Sequence, residues 1–148
     1  VALEGIRHEG ARKSSITEFP GSRTFSFVSG DFRMVDWFIV TPLSNKSVGM
    51  TMIFHQNQPV WVMNYGGWYD EKAIPFLKKC LRQAYEERQF CGVRGPIEVF
   101  DAGVLLRYTN TIEQNGFDDF AGSEVVQSPL DLLGYHWYRG MSLLKGEK

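Results

Sequence analysis

Hydrophobic and polar positions alternate with two different periods along this chain, and the change of period divides it into three parts. From Thr24 to Val28 and from Phe32 to Val40, β-branched and aromatic residues dominate, and Ser29-Gly30-Asp31 between them has turn chemistry. The pattern predicts a hairpin. Pro42, Ser44 and Asn45 interrupt it, after which Met50 to Phe54 and Val60 to Tyr65 read as two further strands joined across Gln56-Asn57-Gln58-Pro59. From Asp70 the period lengthens: Ile74, Leu77, Leu81, Ala84 and Tyr85 recur at helical spacing, with Lys72, Lys78, Lys79, Arg82, Glu86 and Glu87 on the other faces. This predicts one amphipathic helix over 70–89. Asp70 caps it, Pro75 is tolerable only in its first turn, and Lys78, Lys79 and Arg82 form a solvated face paired with Glu86. Beyond Cys91-Gly92, the segments Ile97 to Phe100, Val104 to Thr109, Glu124 to Gln127 and Leu132 to Tyr138 return to strand character, broken at Asn115-Gly116 and Pro129. Residues 1–22 are largely polar and are expected to form a loosely packed arm.

One offset of 73 residues aligns the two strand sets: Gly30 with Gly103, Gly49 with Gly122, Tyr65 with Tyr138 and Gly67 with Gly140. Phe27/Phe100 and Ile39/Ile112 obey it too. The offset predicts two related meanders, 24–67 and 97–140, each closed by a Tyr-x-Gly turn and bridged by the helix. The expected fold class is therefore α+β: a twisted antiparallel sheet of two related meanders packed around one amphipathic helix, with residues 1–148 as a single domain.

Composition narrows the classes of function. At 148 residues and 43% hydrophobic, the chain can bury roughly 70% of its unfolded surface without disulfide or metal staples. Sixteen Lys and Arg against 17 Asp and Glu leave a formal charge of −1, which provides no field for nucleic acid or an anionic membrane. The apolar runs are far short of the ~20 residues that span a bilayer. Glu4, Arg7, His8 and Glu9 occupy the place where a signal peptide would be apolar, so a cytoplasmic location is expected. Val1 in place of Met leads us to expect a processed chain or a piece of a longer one. Cys80 and Cys91 on one helix would sit about 16 Å apart, too far for a disulfide, and both are read as free thiols.

Pro59-Val60-Trp61-Val62-Met63-Asn64-Tyr65-Gly66-Gly67, preceded by Gly30-Asp31-Phe32 with Asp36 and followed by Phe120-Ala121-Gly122-Ser123-Glu124-Val125-Val126 and Tyr138-Arg139-Gly140, resembles an uncharacterised bacterial family, a domain of unknown function. The similarity runs from about Phe25 to Gly140. It implies a domain that stands alone or lies behind an XRE-like helix-turn-helix regulator, and it implies no activity. The family pattern has a Gly-x-Glu strand start in both halves, whereas here Thr51 takes the first position and Glu124 alone keeps the acid. Met141 likewise interrupts the second Tyr-x-Gly-Gly. A symmetric pair of carboxylates is therefore absent.

His136 lies in Tyr135-His136-Trp137-Tyr138, and alternation places it on one face with Tyr138. It reads as an acid/base group or as a core histidine, and the core reading is favoured because its counterpart by the offset is the inert Met63. Asp118, Asp119 and Glu124 fit no calcium-loop spacing, and Gly66-Gly67 is followed by no Lys-Ser/Thr, so no metal and no cofactor is expected. There is no Gly-x-Ser-x-Gly elbow or Cys–His arrangement. Aromatic residues make up 14% of the chain; strands buried on both faces explain most of them, and the surplus is free to line a pocket or a partner surface. Trp61, Tyr65, Glu124, His136, Tyr138 and Arg139 are the candidate ligand-binding residues. The leading reading is a non-catalytic binding module, a small-molecule sensor or protein-interaction domain linked to transcription regulation. The rival is a small hydrolase-like or other enzyme using His136 and Glu124. The expected partner is a small molecule or a protein, with no direct nucleic-acid or membrane binding, and exposed strand edges offer a route to a homodimer.

Overall fold

Local turn chemistry sets the first hairpins of the computed structural model, which describes residues 12–86 and 97–146. β1 (Arg12–Ser14) leads to β2 (Ser22–Ser29), which turns through Gly30-Asp31 into β3 (Phe32–Val40), with Gly30 at φ +59°. β4 (Lys46–His55) turns through Gln56 and Asn57, at φ +49° and +63°, into β5 (Gln58–Tyr69). Two successive left-handed residues give the hairpin turn that matches strand twist. Pro59 is thus inside β5 rather than in the turn. It sits where the β4–β5 register slips between Ile53 and Phe54, a bulge that accommodates a residue with no N–H to donate.

Asp70 ends β5 and opens the helix, its Oδ1 accepting from the Lys72 N–H at 2.8 Å. A single 3₁₀ turn (Glu71–Ala73) runs into α1 (Ile74–Glu86), so Pro75 does fall in the first turn. The expected helix residues 87–89 and Cys91 lie outside the described residues. Four strands follow: β6 (Glu98–Asp101), β7 (Leu106–Asn115), β8 (Asp119–Gln127) and β9 (Leu132–Ser142). Val104 and Leu105, expected in a strand, form the β6–β7 turn, where Leu105 has φ +55°.

The strands make one antiparallel sheet in the order β1-β2-β3-β4-β5-β9-β8-β7-β6. The architecture is α+β and dominated by the sheet. β5 and β9 form the seam, with Tyr65 directly opposite Tyr138. This corrects the expectation that Tyr-x-Gly closes each meander as a turn. Both segments run through strand interiors, and their glycines serve close approach: Trp137 lies across Gly66, and Phe120 across Gly140.

Phe76, Leu77, Cys80 and Leu81 of α1 are buried in one cluster with Tyr69, Leu106, Tyr108 and Val126. Each such large side chain contributes about 1.5–3 kcal/mol on burial. The Lys79 ammonium donates to Asp101 Oδ2 at 3.1 Å. That bond, helped by the Gly103 N–H, holds the Asp101 carboxyl below its ordinary range. Burial pushes the Cys80 thiol up from 9.0 to about 12. The unfolded thiol ionises first as pH rises, so this group's contribution to stability is whole below about pH 9 and declines between there and 12. The expected outcome is that Cys80 resists iodoacetamide at pH 8.5 in the native protein and reacts in urea. Equal labelling with and without urea would contradict its burial.

Candidate functional site

On β9, Gly134, His136, Tyr138, Gly140 and Ser142 are buried on the face packed against α1, the inner face, while the residues between them are exposed on the outer face. The two tyrosines of the seam lean away from each other. Tyr65 crosses Gly49, where a Cβ would lie 2.6 Å from its hydroxyl, and donates to Asp36 Oδ1 at 2.7 Å. Thr51 donates to the same oxygen at 2.9 Å. Tyr138 crosses Gly122, where a Cβ would lie 2.6 Å from its Cζ, and donates to Asn110 Oδ1 at 2.6 Å. One rung on, Tyr108 donates to Glu124 Oε2, and Glu124 Oε1 lies 3.3 Å from His136 Nδ1. The imidazole packs between Tyr65 and Tyr69, with ring centroids at 5.5 and 5.8 Å.

Asp36, Asn110, Glu124 and His136 are all buried, and hydroxyl donors meet the first three. Buried polar groups so supplied are ordered parts of the core. A His–carboxylate pair moves protons only for a reactant within roughly 3 Å. Here Glu124 is 0% exposed and His136 is 6% exposed.

Among the described residues an accessible concavity lies on the outer face. A pocket of about 430 Å³ is lined by Ile16, Phe19, Thr24, Arg33, Val35, Trp37, Met50, Met52 and Phe54. Its floor is three rungs of β3 and β4: Trp37 opposite Met50, Val35 opposite Met52 and Arg33 opposite Phe54. Its wall is the loop before β2, tied down by Ser22, whose Oγ accepts from the Ile16 N–H at 2.8 Å and donates back to the Ile16 carbonyl. Phe19 meets Trp37 edge-on at 5.5 Å. Thr24 and Trp37, paired across β2 and β3, carry a hydroxyl and an indole N–H that are buried with no hydrogen-bond partner among the described residues. Each such group costs about 1–3 kcal/mol, a cost that calls for a reason.

A family model described as a domain of unknown function, DUF5680, matches residues 44–138. The chain belongs to the DUF5680 family. No curated protein matches it, and no solved structure does. The DUF5680 match begins just before β4 and ends in β9, so it takes in α1, most of the seam and every inner-face residue named above except Asp36, Gly140 and Ser142. Of the pocket it takes in Met50, Met52 and Phe54.

Of the six residues expected from the sequence of this DUF5680 chain, Tyr65, Glu124, His136 and Tyr138 come together at the seam. Trp61 is buried nearby, stacked on Phe120 at 5.5 Å. Arg139 does not join them: neighbours on a strand point to opposite faces, and its guanidinium is exposed 3.7 Å from Asp119. Sequence reasoning passed over Tyr108 and Asn110, whose even spacing with Leu106 on β7 marks an inner face. It also passed over the pocket, whose only sequence trace is the alternation of Arg33, Val35 and Trp37 with buried neighbours. Among the described residues no three His, Cys, Asp or Glu side chains gather as metal ligands, and no helix is long and apolar enough to cross a membrane.

Proposed function

We propose that this chain is a non-catalytic binding module whose ligand is a small, largely apolar molecule held in the outer-face pocket. The observation that carries the reading is the pocket itself: about 430 Å³ lined almost wholly by aromatic and aliphatic side chains, within the range of roughly 300–1,000 Å³ usual for small-molecule sites. Met50 and Met52 in its floor adapt their shape to a guest. The enzyme reading would need a reactant to reach Glu124, which is wholly buried, and His136, which is only 6% exposed. A sensor role suits a domain attached to, or working with, a transcription regulator, the setting that the family resemblance implies.

Decanol is a suitable neutral probe. At a hundredfold excess over its Kd a ligand stabilises by about 2.7 kcal/mol, a rise of roughly 5–10 °C in melting temperature for a domain this size. The expected outcome is such a rise for the native chain and none for Met52→Trp, whose indole would project into the pocket from the middle rung of its floor. An equal rise in both would remove the pocket from the reading.

The sheet, on this view, is also a duplicated four-strand unit. Supporting it, the β4–β5 and β8–β9 registers superpose under the 73-residue offset, including the slips at Ile53/Phe54 and Val126/Gln127. Gly49 with Tyr65 and Gly122 with Tyr138 repeat one packing device. The copies differ on the rung where Thr51 and Met63 correspond to Glu124 and His136.

A further inference from the structure

Resting on the pocket reading above, we propose that the pocket takes an amphiphilic anion, an apolar chain ending in a single carboxylate, and that Arg33 binds the carboxylate. Arg33 is the one charged residue of the lining. The floor runs along the strand from Trp37 to Arg33, about 13 Å at ~3.3 Å per residue, with Phe19 against Trp37 at one end and the guanidinium at the other. That is the shape of an extended chain with a polar head.

The state of Arg33 is what selects the charge. Its guanidinium carbon lies 4.5 Å from the centroid of the Phe54 ring, a stacking that fixes the plane of the group while leaving its edge N–H donors available. Among the described residues no carboxylate pairs with it; the ion pairs are Lys79–Asp101, Arg107–Glu98, His136–Glu124 and Arg139–Asp119. A planar guanidinium with free edge donors at the rim of an apolar floor recognises a carboxylate by two parallel hydrogen bonds. A wholly neutral guest would leave it unused, and a cationic one would be repelled.

Isothermal titration of the full chain with decanoate and with decanol, both kept below their aggregation limits, separates the charge from the pocket. Decanoate is expected to bind about tenfold more tightly than decanol, the effect of a charge-assisted hydrogen bond at a half-exposed site. That preference should shrink as salt is raised. Arg33→Gln should erase the preference, bringing decanoate affinity to that of decanol measured on the same variant, while Met52→Trp should lose both ligands, which guards against a detergent effect. If decanoate binds no better than decanol, or Arg33→Gln keeps the preference, the anion proposal falls and the pocket stands. If neither probe binds the native chain, both fall. Sedimentation velocity alongside would show a dimer dissociating as decanol is added if a second copy owns this face, and that result would also overturn the proposal.

Discussion

Gly67→Ala is expected to be the most damaging single methyl that can be added to this protein. Gly67 sits in β5 opposite His136 at φ +149°, and a Cβ there would overlap the Tyr135 carbonyl oxygen and lie 2.7 Å from the His136 Cα. Both neighbours are backbone of β9, so no side chain can rotate away, and the seam that joins the two halves of the sheet must open. The unfavourable φ costs on the order of 1–2 kcal/mol, and the overpacking adds roughly 1–3. A total of about 3–5 kcal/mol is a large part of the ~5–15 that holds a domain folded. Urea denaturation reads it as a lower midpoint with an unchanged slope. Gly30→Ala is the control, since Gly30 also has a positive φ but open space around it, and its loss should stay near 1 kcal/mol. Equal losses at the two sites would mean that the seam is not held as tightly as the structure has it.

Glu124→Ala is the second large effect, for an electrostatic reason rather than a steric one. The carboxylate is fully buried, accepts from the Tyr108 hydroxyl and stands beside His136. Removing it takes an acceptor from the Tyr108 phenol and the neighbouring carboxyl from the His136 imidazole, and leaves a cavity. Breaking a buried pair from one side typically costs about 3–5 kcal/mol. Glu124→Gln keeps the shape and one acceptor oxygen and is expected to lose about 1–3. The double exchange Glu124→Thr with His136→Met installs the residues of the first half's matching rung. If the halves are copies, it should cost less than Glu124→Ala alone; a greater cost would count against the duplication. A Glu124→Ala protein within 1 kcal/mol of the native chain would show that this network is ornamental to the fold.

Where the chain's own chemistry is local, it could be read directly. The turn at Gly30-Asp31 and the cap at Asp70 need no distant partner, because a positive φ or an orphan helix N–H is satisfied by residues within a few positions. The same holds for the inward stripe of α1, where Leu77 and Leu81 fall as periodicity demands. Tyr65-Gly66-Gly67 went the other way. Two glycines after an aromatic residue look like a turn in isolation, yet here they are strand residues thinned to let Trp137 and the β9 backbone approach. Arg139 was placed with Tyr138 by proximity in sequence, which in a strand is the surest sign of opposite faces.

The sequence by itself determined the central parts of most strands, the helix, the Gly30-Asp31 turn and a matched pair of Tyr and Gly positions, because those follow from side-chain period and backbone freedom within short windows. Only the tertiary structure decided that β5 meets β9 with Tyr65 opposite Tyr138, and that Glu124 and His136 share one buried rung that the Tyr108 hydroxyl reaches from the next. It alone brought the Ile16–Phe19 loop over the outer face of β3 and β4 to make a pocket ending at Arg33. The reason is register: antiparallel pairing between strands some 70 residues apart sets which side chains become neighbours, and a shift of one residue would send each of them to the other face.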